Sequence, residues 1–265
     1  MHSLVAVRLQ GFMILVAMSM GVTIAGYVNV SFRLTTTPQI LLTTALMNFG
    51  FPLLSKHQAS KADLHAAFHL ITRIITLTTT PAFVGLALSA DDLVPLMLGP
   101  EWETSIPLVQ ILSLGVAISF IRLSSSFLLR AQGFVKFSFY NSAFQLIVTL
   151  GGMLLLWPRE PVMAAMLWVC PVFVQLPATI WIVRRVTGMS VRQQLEGSHA
   201  AIVATSAMAA VLMAVMVDAA SSDHLIRLGV KLIVGVSVFG LLVIACDAAV
   251  RKSLFIKVGL ARCRG

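Results

Sequence analysis

Long apolar blocks separated by short polar connections set the pattern of this chain. Four blocks stand clear: Ser138–Trp157, Val162–Val183, Ala200–Ala220 and Leu228–Val250. Each has about 20 residues or slightly more, the length at which a helix crosses a bilayer with its backbone groups paired internally. Phe68–Ala90 and Ile106–Leu129 have similar length but carry Arg73 and Arg122. The first 55 residues admit two readings. Hydropathy alone gives two short spans, Gly11–Phe32 and Leu34–Ser55, turning at Arg33. One long tilted helix over Tyr27–Leu54 instead brings Asn29, Arg33, Thr37, Thr44 and Asn48 into a single polar stripe, at spacings of 4, 4, 7 and 4. A turn at Arg33 would make that regularity accidental. Pro38 can kink a membrane helix without ending it, because neighbours satisfy the freed carbonyl. The single helix is therefore the preferred reading.

The pattern predicts an all-α protein, a polytopic bundle of seven or eight transmembrane helices. Residues 1–25 read as an N-terminal apolar segment, a truncated span; 26–250 as the helix bundle; and 251–265 as a basic tail. Composition agrees: of 265 residues 58% are hydrophobic and 11% charged, with mean hydropathy +0.94. A soluble domain carries about 25% charged residues.

The net charge of +9 is explained by topology and needs no nucleic-acid partner, since Lys and Arg collect on cytoplasmic connections. Taken alternately, one set of connections carries Arg8; Lys56, Lys61 and Arg73; Arg130 and Lys136; Arg184, Arg185 and Arg192; and the basic tail. The other set holds only Arg33, Arg159 and Arg227. This places the C-terminus in the cytoplasm. Asp91, Asp92, Glu101 and Glu103 fall in one outer connection without a basic partner. Lys231 reads as a snorkelling side chain at the outer end of its span, and Asp247 as the i,i+4 partner of Arg251. The polar stretches around 55–69 and 187–199 read as amphipathic helices at the cytoplasmic surface.

Polar residues within spans are costly and point to function. Besides the Arg33 stripe, Gly115, Ser119, Arg122 and Ser126 share one face of a helix, as do Asn141, Gln145 and Thr149 of the next. Small and polar residues also join helices to one another, and that role suits the uncharged members. A guanidinium is rarely needed for packing, so Arg33 and Arg122 are assigned to a cavity. The candidate substrate cavity comprises Asn29, Arg33, Thr37, Thr44, Asn48, Ser119, Arg122, Asn141 and Gln145. Forked guanidinium donors match phosphate or carboxylate; inside a membrane those belong to lipid headgroups and lipid-linked pyrophosphates, and the amides and hydroxyls around them suit sugars.

Enzymatic signatures are missing. His65 and His69 have helical zinc-site spacing, but Ala66 stands where a metalloprotease needs Glu, and no third ligand is near. Cys170, Cys246 and Cys263 form no CxxC pair. There is no phosphate-binding Gly-rich loop and no GxSxG. Neither a catalytic activity, a metal nor a cofactor is expected.

Several segments in order carry a resemblance: Gly21 through Asn29 to Ser31-Phe32-Arg33-Leu34, then Pro38; Phe51-Pro52-Leu53-Leu54-Ser55; a helix with Pro81 ending Ser89-Ala90-Asp91-Asp92 through Pro95 to Gly99; Trp102 and Ile106-Pro107; and Leu128-Leu129-Arg130-Ala131-Gln132-Gly133. Over roughly residues 18–160 the chain resembles the polysaccharide-transporter branch of the multidrug/oligosaccharidyl-lipid/polysaccharide flippase superfamily. Residues 1–20 lie outside the likeness. The resemblance implies a bundle in two pseudo-related halves around an alternately exposed cavity, an Arg at position 33 facing it, and movement of lipid-linked sugars across the bacterial cytoplasmic membrane. Ser31 stands where the family's motif has a small apolar residue. The chain has the span number of one half, the C-terminal one, so its implied partners are the lipid-linked substrate, membrane lipids, a separately encoded N-terminal half and glycosyltransferases. Alternatives are a drug/cation antiporter of the same superfamily, which calls for acidic residues within spans, a membrane scaffold in an envelope-polymer complex, and a decayed product without function.

The charge bias predicts that a fluorescent-protein fusion after Gly265 is bright and an alkaline phosphatase fusion there inactive. Fusions between Asp91 and Glu103 should do the opposite, and a reversed pattern inverts the assigned topology.

Overall fold

A computed structural model describes residues 2–56, 61–218 and 224–246 of the chain. Helices account for nearly all of them: α1 (His2–Met20), α2 (Val22–Lys56), α3 (Lys61–Leu98), a 3-10 turn at Pro100–Ser105, α4 (Ile106–Ile121), α5 (Leu123–Ala131), α6 (Val135–Leu156), α7 (Pro161–Thr187), α8 (Val191–Glu196), α9 (His199–Asp218) and α10 (His224–Cys246). Among the described residues, five helical stretches are long and apolar enough to cross a membrane: Asp63–Leu98, Pro100–Ala131, Lys136–Leu156, Pro161–Thr187 and His224–Ala245. Leu4–Met20 and His199–Ala214 are shorter apolar helices. α2 has 35 residues, ample for a span, but a polar face dilutes its apolar character. The chain is an all-α polytopic membrane bundle.

The preferred single helix over Tyr27–Leu54 is observed, as the central part of α2 with Pro38 and Pro52 inside it. The hairpin lies further upstream. Gly21 has φ 90°, a conformation open to glycine without strain, and it folds α1 back along α2. Phe12 and Phe32, which flank that turn, meet edge to face with centroids 5.8 Å apart. Trp168 of α7 closes the aromatic cluster at 5.1 Å from Phe12 and 4.7 Å from Phe32. This core joins α1, α2, α4, α6 and α7. A second core unites α3, α4, α5 and α7 through Phe68, Phe83, Phe120 and Phe127, with Phe83 stacked on Phe120 at 5.5 Å.

Large apolar side chains also cover the outside. Ile14, Ile147, Leu155, Ile233, Val236 and Leu241 are all well exposed, as expected where lipid tails replace water. The stretch at 55–69 contributes most of its described residues to the start of α3. That at 187–199 contains the short α8, capped by Ser190, whose hydroxyl accepts from the Gln193 backbone N–H while the Gln193 side chain accepts from that of Ser190.

Two sequence expectations are corrected at the end of the bundle where Gly21 and Gly99 turn the chain. Asp91 and Asp92 do not lie in a connection without basic partners; they belong to the last turns of α3. Lys231 does not snorkel. It is 5% exposed, and its Nζ stands 2.8 Å from Asp91 Oδ1 and 2.5 Å from Asp92 Oδ2. Asp92 is fully buried and is also bonded by Arg227, through Nε at 2.8 Å, and by His224 Nδ1 at 3.1 Å. The physical reason is spacing: His224, Arg227 and Lys231 recur at helical intervals on one face of α10, which packs against α3. The proposed Asp247–Arg251 pair lies outside the described residues.

Breaking a buried ion pair leaves an unpaired charge and costs about 3–5 kcal/mol. Lys231→Met should therefore lower thermal stability in detergent clearly, while the double variant Lys231→Met/Asp92→Asn recovers much of the loss. Equal melting of both variants would exclude the clamp.

Candidate functional site

The five helices around the Phe12–Phe32–Trp168 core do not close completely. Between them lies a cavity of about 310 Å³, walled by α1, α2, α4–α5, α6 and α7. Its apolar lining includes Phe32, Leu112 and Val172; its polar lining includes Arg8, Gln39, Ser119, Arg122 and Gln145. The approach of α4 to α7 shapes one wall. A Cβ at Gly115 would stand 2.6 Å from Val169 Cγ2, so only glycine allows this spacing.

One hydrogen-bonded chain runs along the wall from α5 back to α1. Arg122, at the break between α4 and α5, donates through Nη1 to Asn141 Oδ1 at 2.8 Å. Gln175 Nε2 donates to the Asn141 carbonyl at 3.0 Å, and Gln145 Nε2 to Gln175 Oε1 at 2.9 Å. Arg8 Nη1 then donates to Gln145 Oε1 at 2.6 Å. Its Nε and Nη2 donate to Thr149 Oγ1 at 3.0 Å and to the Trp168 carbonyl at 2.7 Å. The guanidinium also lies over the Trp168 ring, 3.8 Å from its centroid.

Arg8 is thus a correction to the sequence reading, which put it in a cytoplasmic connection. It is 7% exposed and sits inside the bundle. Twelve residues of helix separate it from the turn at Gly21, about 20 Å at the α-helical rise, and that distance was the signal available once α1 is taken as a complete helix. Gln175 was missed as well. It stands between Pro171 and Pro177 of α7, where prolines free carbonyls and mid-span polar residues find partners.

The structure divides the candidate residues into two groups. Ser119, Arg122 and Gln145 line the cavity, and Asn141 is held by Arg122 behind it. Asn29, Arg33, Thr37, Thr44 and Asn48 do share one face of α2, as their spacing requires, but that face is exposed on the outside of the bundle. The side of α2 that enters the cavity carries Thr35, Thr36, Gln39 and Thr43 instead. Their neighbours on the stripe are offset by about 100° per residue, which turns them outward.

Comparison with known proteins finds likenesses over part of the chain. A family described as polysaccharide biosynthesis protein matches residues 6–107. Over that segment the chain is similar to that family. It is 25% identical to the lipopolysaccharide biosynthesis protein WzxC of Escherichia coli K12 over 132 residues, 50% of this chain and 27% of that protein. It is 21% identical to the teichuronic acid biosynthesis protein TuaB of Bacillus subtilis 168 over 128 residues, 48% of this chain and 26% of the relative. It is 29% identical over 124 residues to an uncharacterized membrane protein in the cps region of Klebsiella pneumoniae, 47% of this chain and 26% of the relative. The matched segments therefore span about a quarter of each relative's length. No solved structure matches the chain. The family match begins at residue 6, so α1, expected to lie outside the likeness, is included almost whole, and Arg8 with it.

Filling the α4–α7 contact should be felt directly. Gly115→Val overpacks the wall and is expected to cost about 1–3 kcal/mol, read as a lower melting temperature in detergent. Val169→Ala in the same chain should restore part of it; unchanged melting in Gly115→Val would mean that α4 and α7 are further apart.

Proposed function

We propose that the chain moves polysaccharide units, carried as lipid-linked oligosaccharides, across the bacterial cytoplasmic membrane, working with a second set of helices that completes the transport path. The observation that carries this reading is the outward stripe of α2. Arg33, with Asn29, Thr37, Thr44 and Asn48, is exposed on a bundle whose surface is otherwise rich in Ile, Leu, Val and Met. A charged side chain left against lipid costs from about 2.5 kcal/mol upward. The stripe is accounted for when another bundle faces it across a water-filled path, because alternating access needs one bundle rocking against another.

The chemistry suits the cargo. Arg33 offers forked donors to a phosphate of the lipid carrier, and the amides and hydroxyls along the same face offer exchangeable partners to sugar hydroxyls. The roles of the relatives, in lipopolysaccharide and teichuronic acid biosynthesis, favour a polymer or its lipid-linked precursor as substrate. The drug/cation antiporter alternative calls for a carboxylate in the cavity. None lines it, and Asp91 and Asp92 of α3 are already engaged by cations. Movement of the polymer unit requires no bond chemistry from the chain, which accords with the lack of enzymatic motifs in its sequence.

Arg33→Ala, expressed in a strain deleted for the native gene, tests the assignment. A charged hydrogen bond is worth about 1.5–3 kcal/mol, so surface polymer should fall by about tenfold or more at unchanged protein level, with lipid-linked precursor accumulating inside. Arg33→Lys should retain part of the activity. Undiminished export by Arg33→Ala would remove the stripe from the transport path.

A further inference from the structure

The cavity inside the bundle raises a question separate from the outward stripe. Two guanidiniums, Arg8 and Arg122, line the same space of about 310 Å³. No Asp or Glu lines it, and among the described residues neither arginine has a carboxylate partner. The acceptors that Arg8 meets are a hydroxyl, an amide and a backbone carbonyl, all neutral. Arg122 meets the neutral amide of Asn141, and its buried Nε has no partner. Neutral acceptors satisfy donors, but they do not cancel charge. Two like charges facing one apolar-walled cavity repel each other, and each carries its own desolvation penalty.

We propose that this cavity holds a small oxyanion, of phosphate chemistry, between Arg8 and Arg122. The anion would cancel the paired charge. Forked guanidinium donors match the oxygens of such an ion. Gln39 and Ser119, on the facing walls of α2 and α4, add polar groups to the lining. The volume lies at the low end of small-molecule sites, about 300–1,000 Å³, so it admits a free oxyanion or one lipid headgroup and excludes a sugar polymer. The site is a fixture of this bundle, distinct from the Arg33 stripe, and the inference stands whatever the chain transports.

Charge balance supplies the test. The full chain is purified and placed in nanodiscs of phosphatidylcholine alone, and its melting temperature is followed as inorganic phosphate replaces chloride at constant ionic strength. Phosphate bound only by the folded state should raise melting by about 4 °C or more at saturation, and Arg122→Gln should abolish the response. Ser119→Asp, one helical turn before Arg122, is the second variant: its carboxylate takes the place of the ion, so it should melt higher without phosphate and no longer respond to it. Nanodiscs containing phosphatidylglycerol separate the two sources. If that lipid alone raises melting in an Arg122-dependent manner and co-purifies in native mass spectra, the oxyanion is a headgroup; if free phosphate does so without it, the ion is soluble. The proposal is overturned if neither source shifts melting, if Arg122→Gln responds as the parent does, or if Ser119→Asp is destabilised, because the cavity would then be filled by water alone.

Discussion

One guanidinium ties α1, α6 and α7 together. Arg8 enters from α1 and reaches α6 through Gln145 and Thr149 and α7 through the Trp168 carbonyl, with the Trp168 ring beneath it. Burying it is expensive anywhere in an apolar medium, and the expense is met only where several acceptors converge. Three helices must therefore keep a fixed relation to one another for Arg8 to remain where it is. The cavity next to it, and the Gln145–Gln175–Asn141–Arg122 chain that leaves it, follow from that relation.

A second constraint acts at the opposite side of the molecule. α9 and α10 pack apart from the Arg8 core, against α3 and each other. The weight falls on the charge clamp of Asp91 and Asp92 with His224, Arg227 and Lys231. Buried Arg8 and Lys231 thus solve the same problem in different ways. Lys231 finds carboxylates, so its charge is cancelled within the chain. Arg8 and Arg122 find only neutral partners, and their charge is left to whatever occupies the cavity.

The two polar regions also have different audiences. The outward stripe of α2 is exposed and continuous along the helix, suited to a ligand that slides or is handed along. The inner cavity is small and lies between five helices, suited to a small group. α2 contributes to both, because Arg33 and Thr37 point one way while Thr36, Gln39 and Thr43 point another.

The sequence by itself determined the helical class, the positions of most spans and the single long α2, because apolar blocks of bilayer length and a polar residue at each helical repeat are local properties. It also determined that Asn29, Arg33, Thr37, Thr44 and Asn48 share a face. Which way that face points could not be read from spacing, for periodicity gives the relative directions of side chains and not what stands opposite them. Tertiary structure alone decided that Arg8 is buried, that Gln175 bridges Gln145 and Asn141, and that Lys231 meets Asp91 and Asp92 across some 140 residues of chain. Each of those facts depends on contact between helices remote in sequence, and a charge near a helix end looks the same in a sequence whether it reaches for water or for a partner in the core.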